Sequence, residues 1–176
     1  MLFSVEYNAN FPIEAAITFP NNSKEYWEGD RGYGASLKAL NMVAIKHGYS
    51  LLWVVPFLDA FFIRNDLIDD GTKKICFPIE KWKQITSYPC HPPLKNKSRL
   101  SIFINYETYI DTNGDVEKSK KEAYDICKKY LTVNGFFDGL KLKVHKVIVK
   151  TFLLLKIKYW VPKFLIDILK KLNKKL

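Results

Sequence analysis

The spacing of apolar and polar positions over the first 65 residues predicts a strand, a long loop, a helix and two further strands. Leu2 to Val5 form a short, nearly continuous apolar run that ends in the polar Glu6-Tyr7-Asn8, which is typical of a buried parallel strand where it leaves its sheet. Residues 37–46 carry apolar side chains three and four apart behind Ser36, a residue that favours helix N-caps, and His47-Gly48 is a typical helix end.

Two β-rich runs, Tyr49 to Val55 and Ala60 to Ile63, follow this helix. We therefore expect an α/β fold in which the first strand and these two belong to one sheet, with the helix packed on a face. The loop before the helix, residues 9–34, is unusually long for a compact domain, and such loops are often functional. We take its residues Trp27, Asp30, Arg31 and Tyr33 as candidate substrate-binding residues, with capping of a core edge as the alternative.

The sequence divides into three parts, with residues 1–70 followed by a mixed α/β extension over 71–138 and a basic tail over 139–176. In the extension, Pro78 is a candidate helix start and Arg99 to Ile110 reads as a strand. Asp115 is placed to cap a helix from Val116 to Leu131, with Asn134-Gly135 ending it. The segment from Asp111 departs from a calcium-binding loop at the required glycine, so a turn before a capped helix explains it better.

Net charge separates the tail from the rest of the chain. Residues 1–138 carry 17 Lys and Arg against 17 Asp and Glu, so the whole net charge of +10 lies in residues 139–176. After Pro162, an apolar stripe from Phe164 to Leu172 is flanked by lysines, a pattern of helices that lie in membrane interfaces. The tail therefore predicts binding to an anionic membrane surface. The alternative is that it packs on the rest of the chain or on a partner. A nucleic-acid partner ranks lower, because no nucleic-acid-binding module is recognisable.

The remaining features predict a cytosolic protein without a metal site, placed peripherally on the inner membrane surface if the tail binds there. No basic segment followed by an apolar one opens the chain as in a secretory signal. The three cysteines, Cys76, Cys90 and Cys127, are odd in number and lack C-x-x-C spacing, so we take them as reduced thiols. Neither the adjacent Cys90-His91 pair nor a metal set made with Cys76 has the further residues that catalysis or coordination needs.

Residues 1–70 contain four blocks with a recognisable order and spacing. The blocks are Val5-Glu6-Tyr7-Asn8, Gly34-Ala35-Ser36-Leu37-Lys38-Ala39-Leu40, Lys46-His47-Gly48-Tyr49-Ser50-Leu51 and Asp59-Ala60-Phe61-Phe62-Ile63-Arg64-Asn65-Asp66-Leu67. They resemble the C-terminal half of FkbM-like, class I S-adenosylmethionine-dependent methyltransferases. By that resemblance the blocks are the fifth strand, the following helix and the last two strands of a Rossmann-like sheet whose final strand runs antiparallel.

The resemblance implies methyl transfer from S-adenosylmethionine to a hydroxyl of a small or glycan-like acceptor. The glycine-rich turn that holds this cofactor in the family is missing, since Gly32-Tyr33-Gly34 lies inside a loop and not between a strand and a helix. We therefore expect the cofactor half to come from an upstream segment or a partner chain. The alternative is a non-enzymatic module for membrane-surface or protein interaction.

Glu6 and Asn8 are the candidate catalytic residues, because ligands of open α/β sheets bind beyond the carboxyl ends of the strands. The Glu6 carboxylate is suited to accept a proton from an acceptor hydroxyl, and the Asn8 amide to orient that hydroxyl. The alternative is that both side chains only bond to loop amides.

Overall fold

The computed structural model describes residues 1–20, 23, 26–55, 57–73, 79 and 91–132. All of them belong to the first of two units into which the chain divides, Met1–Leu142 and Lys143–Leu176. The helix predicted at Pro78, the Asn134-Gly135 helix end and the basic tail lie outside the described residues.

The strands are β1 (Leu2–Glu6), β2 (Ile17–Thr18), β3 (Tyr49–Val54), β4 (Asp59–Arg64) and β5 (Ile104–Asn105), and the α-helices are α1 (Leu37–Lys46), α2 (Asp70–Lys73), α3 (Tyr106–Asp111) and α4 (Val116–Leu131).

A three-stranded sheet in the order β1-β4-β3 forms the first half of the fold. β4 runs antiparallel to both neighbours, so β1 and β3 are parallel to each other and are connected through α1. The prediction that these three strands share one sheet, with the last one antiparallel, is confirmed. β1 itself differs from the expected buried parallel strand, because its described neighbour is antiparallel and its side chains are half-buried or exposed.

Ser36 explains why α1 begins at Leu37, as predicted. Its Oγ accepts a hydrogen bond from the Ala39 N–H at 3.3 Å and so caps the helix. The same oxygen accepts from the Ile17 N–H at 2.9 Å and donates to the Ala15 carbonyl at 2.5 Å. The buried Ser36 hydroxyl thus connects the start of α1 to β2. At the other end of the helix, Gly48 has φ +77°, a conformation that favours glycine.

Two apolar clusters form the core. The first includes residues of the β1–α1 segment, α1 and the three-stranded sheet: Tyr7, Ala9, Ile13, Leu37, Ala44, Leu51, Val54, Ala60 and Phe62. The second joins the segment after β1 to the region after residue 90: Phe11, Ala15, Ile17, Leu94, Leu100, Phe103, Ala123, Cys127 and Leu131. Residues 91–132 therefore pack directly on the loop that follows β1.

The long loop contains β2, which pairs antiparallel with β5 in a second, two-stranded sheet. The strand predicted from Arg99 to Ile110 is wrong except at Ile104–Asn105, since a 3₁₀ helix precedes these residues and α3 follows them. Two asparagine caps explain the difference: the Asn96 side chain accepts from the Ser98 N–H, and the Asn105 side chain from the Glu107 N–H. These bonds favour helix starts over continued pairing.

The predicted helix α4 is confirmed, with Asp115 as its N-cap. The Asp115 carboxylate accepts from the Lys118 N–H at 3.0 Å. The buried face of α4 consists of Ser119, Ala123, Cys127 and Leu131, and Ile126 and Tyr130 are partly buried beside them. In the part of the chain that the structure describes, no helix has the length and apolar character needed to cross a membrane.

We expect Ser36→Ala to lower the free energy of unfolding by about 1–3 kcal/mol, because it leaves the buried Ile17 N–H without its acceptor and removes the cap of α1. Urea unfolding measures the change. Ser101→Ala is the matched control, since Ser101 is exposed and its Oγ makes one bond, to the Ser98 carbonyl. Equal losses in the two variants would contradict the role given to Ser36.

Candidate functional site

Glu6 is exposed at the carboxyl end of β1, and Asp59 is its register partner on β4. Residues opposite each other in a sheet point to the same face, so this end of the sheet presents two carboxylates side by side. Sequence reasoning missed Asp59, although it is the acid that interrupts the apolar run from Leu51 to Ile63. The register between β1 and β4 places it beside Glu6.

Asn8 lies fully buried behind this end of the sheet, and its amide holds the long loop. Its Nδ2 donates to the carbonyls of Arg31 at 2.9 Å and Tyr33 at 2.7 Å. Its Oδ1 accepts from the Asn10 backbone N–H at 3.0 Å and from the Asn10 Nδ2 at 2.8 Å. These four bonds use both donors and both lone pairs of the amide. The geometry therefore favours the alternative in which Asn8 bonds to the loop.

Asp30 in the long loop forms a buried ion pair with Arg99 from the 3₁₀ helix Lys97–Ser101. The Arg99 Nη1 atom lies 3.3 Å from the Asp30 Oδ1 atom, and the two side chains are 3% and 0% exposed. The Asp30 carboxylate also accepts from the Gly32 N–H at 2.9 Å and the Lys95 N–H at 3.0 Å. Arg99 donates through Nη2 to the carbonyls of Gly32 and Tyr26. Asp30 thus has its partners inside the protein, and sequence reasoning missed Arg99 because it lies 69 residues away.

Arg31 connects the same loop to the end of α4. Its Nε donates to the His91 carbonyl at 2.9 Å, and its Nη1 approaches the carbonyls of Tyr130 and Thr132 at 3.4 and 3.5 Å. The side chain is buried, and the Arg31 backbone N–H donates to the Pro92 carbonyl. Through these contacts the Arg31 guanidinium holds the long loop against the second apolar cluster.

Trp27 and Tyr33 form an aromatic group with His91. The three ring centroids lie 5.0–5.8 Å apart, and the Tyr33 and His91 rings meet edge-on. Tyr33 is buried, whereas Trp27 remains 54% exposed with its Nε1 bonded to the Asp30 carbonyl at 2.7 Å. Of the four predicted binding residues, Trp27 presents the most accessible surface to a ligand.

The glycines of the lone G-x-G motif are explained by packing and backbone conformation. A Cβ atom added at Gly32 would overlap the Leu94 side chain and lie 3.2 Å from the Asp30 Oδ1 atom, while Gly34 has φ +48° with open space around it. Gly32 is needed for close packing at the Asp30–Arg99 pair, and Gly34 for its backbone conformation. These residues therefore do not fit a phosphate- or cofactor-binding turn between a strand and a helix.

A cavity of about 770 Å³ lies between β1 and α1. Its lining includes Phe3 and Val5 from β1 and Leu40 and Val43 from α1. Neither Glu6 nor Asp59 is among the residues that line this cavity. The candidate carboxylates and the apolar cavity are separate features of the sheet.

Neither a metal cluster nor a reactive thiol emerges from the described residues. No group of three His, Cys, Asp or Glu side chains within them is arranged to hold a metal ion. Burial raises the pKa of the Cys127 thiol, so this cysteine stays protonated among its apolar neighbours.

No protein-family model matches the sequence, and comparisons with curated proteins and with solved structures likewise return no match. The methyltransferase assignment therefore stays a prediction from the residue blocks.

We expect Arg99→Met to lower the free energy of unfolding by about 3–5 kcal/mol, because it leaves the buried Asp30 carboxylate without its cation. Asp30→Asn should cost less, because the Glu28 carboxylate still lies 3.5 Å from the Arg99 Nη1 atom. The double variant should lose less than the sum of the single losses. The matched control is the partly exposed Lys38–Glu107 pair at 2.7 Å, where Lys38→Met should cost less than about 1 kcal/mol. Similar costs for both pairs in urea unfolding would count against the central role of Asp30 and Arg99.

Proposed function

We propose that this chain is the acceptor-side half of an S-adenosylmethionine-dependent methyltransferase, acting on a hydroxyl of a small or glycan-like acceptor. The observation that carries the proposal is the connection of β1 through α1 to β3, followed by the antiparallel β4 between them. A final antiparallel strand is what the methyltransferase resemblance implies. Four residue blocks in the expected order support the same assignment.

The cofactor belongs to the polypeptide that completes the sheet. Gly32 of the G-x-G motif packs beside Asp30, and among the described residues no other glycine-rich turn follows a strand. S-adenosylmethionine supplies the methyl group in the family that the chain resembles. This chain would contribute the acceptor side of the site.

Glu6 is the residue proposed to act on the acceptor. Its carboxylate is exposed at the carboxyl end of β1, where it is free to accept the proton of an acceptor hydroxyl. Asp59 beside it adds a second negative charge that favours polar or cationic groups on the acceptor. Trp27 offers an aromatic surface of the kind on which sugar rings and other flat groups pack.

Calorimetry tests the division of roles. The 176-residue chain alone should give no binding heat with S-adenosylmethionine, whereas the protein tagged at its own locus and purified with its completing polypeptide should bind it. In that assembly Glu6→Gln should lower turnover about 10²–10⁴-fold with little change in cofactor affinity, and Ser4→Thr serves as control. Micromolar binding by the chain alone, or an unchanged rate in Glu6→Gln, would overturn the assignment.

A second candidate function is attachment to an anionic membrane surface. The observation that favours it is the location of the whole net charge of +10 in residues 139–176, together with the apolar stripe from Phe164 to Leu172. Each lysine near an anionic leaflet contributes about 1 kcal/mol. This function requires no catalysis, and it is compatible with the methyltransferase assignment.

Sedimentation with phosphatidylserine vesicles tests the tail. The full chain should pellet with the vesicles, and salt should weaken the attraction because the Debye length is about 8 Å at physiological ionic strength. Replacing Leu165 and Leu169 by Ser should also weaken it, since apolar insertion is lost while the charge is kept. A chain ending at Asp138 should stay in solution; equal pelleting of this chain and the full one would exclude the tail as the membrane anchor.

A further inference from the structure

The cavity between β1 and α1 has the size and the lining of a site for a small apolar molecule. Its volume is about 770 Å³, within the range of about 300–1,000 Å³ that is typical of ligand pockets. Phe3 and Val5 line it from β1, and Leu40 and Val43 line it from α1. Val43 is 38% exposed although it is large and apolar. Apolar side chains that stay exposed around a concave surface are typical of ligand-binding grooves.

The cavity follows α1 over most of the length of the helix. Ala39 in the first turn and Lys46 in the last turn both line it. Between these two residues the helix advances by about 10 Å, at about 1.5 Å per residue. An extended alkyl chain advances by about 1.3 Å per carbon, because the bond angles shorten the projection of each C–C bond. About eight methylene groups therefore fit between the two residues.

The two ends of the cavity differ in charge. Lys46 and His47 are exposed and line the end beside the carboxyl terminus of α1. Thr18 of β2 lines the other end, since the Ser36 N–H donates to the Ile17 carbonyl at 2.8 Å and so holds β2 beside the start of α1.

The charged end favours an anionic group on the ligand. Among the described residues that line the cavity, none is acidic. The Lys46 ammonium group therefore has no carboxylate beside it in this lining, and the His47 imidazole adds a hydrogen-bond donor or acceptor. A ligand that is apolar along its length and anionic at one end matches both the walls and the charge.

We propose that this cavity binds a medium-chain fatty acid of about ten carbons, with its alkyl chain along α1 and its carboxylate at Lys46 and His47. The walls formed by Phe3, Val5 and Leu40 contact the alkyl chain. Neither Glu6 nor S-adenosylmethionine takes part, so this binding is a second function of the chain, beyond the proposed methyl transfer.

Calorimetric titration of the full 176-residue chain with octanoate, decanoate and dodecanoate tests the length of the site. We expect decanoate to bind with a Kd below about 1 mM. Octanoate should bind at least about tenfold more weakly, because each buried methylene group contributes about fourfold in affinity. Dodecanoate should gain less than about threefold over decanoate, since its added carbons stay in water. Association with a surface outside the cavity would show no such limit.

A cavity-filling variant tests the location of the alkyl chain. Val43→Trp places a large side chain in the cavity and should weaken decanoate binding at least about tenfold. The matched control is Ile45→Trp, because Ile45 lies on the same helix, is 61% exposed and does not line the cavity; it should bind as the native chain does. Both variants keep the basic tail, so fatty acid bound to the tail would remain in Val43→Trp. Equal far-UV circular dichroism of the two variants shows that α1 is kept.

A charge variant tests the position of the carboxylate. Lys46→Gln should weaken decanoate binding about threefold, the effect expected for an ion pair at an exposed site. The same change should leave the binding of neutral decan-1-ol within about 1.5-fold of the native value, since the alcohol has no charge to lose. Lys118→Gln on α4 is the matched control, because Lys118 is exposed and does not line the cavity.

Five outcomes would overturn the proposal. They are absence of decanoate binding, a gain from decanoate to dodecanoate as large as that from octanoate to decanoate, native affinity in Val43→Trp, equal effects of Lys46→Gln and Lys118→Gln, and loss of decanoate binding when the chain is purified with its completing polypeptide. The last result would assign the cavity to that polypeptide. The titrations contain no S-adenosylmethionine, so this inference and the proposed function stand or fall separately.

Discussion

The buried contact between the Asp30 carboxylate and the Arg99 guanidinium connects two distant parts of the sequence. Removing two charges from water is costly, and the cost is offset only where further hydrogen bonds satisfy them. Here the backbone supplies those bonds. The N–H groups of Gly32 and Lys95 donate to the Asp30 carboxylate, and the Arg99 guanidinium donates to the Tyr26 carbonyl. A loop with little regular structure thereby satisfies its backbone groups inside the protein. The loop conformation, and the packing of residues 91–132 on it, depend on this pair.

This constraint separates the residues that hold the fold from those that can meet a ligand. Asn8, Asp30 and Arg31 all lie in the interior, and their polar atoms bond to the backbone of the loop or of the region after residue 90. Glu6 and Trp27 keep exposed side chains. The charged loop residues Asp30 and Arg31 therefore stabilise the fold. The proposed chemistry is assigned instead to the Glu6 carboxylate at the end of β1.

The elements that local patterns determine were predictable, and those that distant contacts determine were not. Ser36 and Asp115 marked the starts of α1 and α4 to the residue, since a cap is read from neighbours in sequence. The partner of Asp30 was not visible, because pairing over 69 residues leaves no periodic signal. The alternation after Arg99 predicted a strand, and the Asn105 cap turned the chain into α3 instead. Asp59 was missed for a related reason: its place beside Glu6 depends on strand register.

The tail and the rest of the chain differ in the force on which each depends. Residues 1–138 are neutral, with 17 basic and 17 acidic side chains, whereas residues 139–176 carry +10. The proposed attraction to anionic lipid therefore rests on the tail, and salt should screen it. The packing of Phe3 and Val5 on the first apolar cluster rests instead on apolar burial, which salts such as sulfate strengthen. Raising the concentration of such a salt should therefore weaken the proposed membrane attachment and leave the core intact, so that loss of vesicle binding can be distinguished from unfolding.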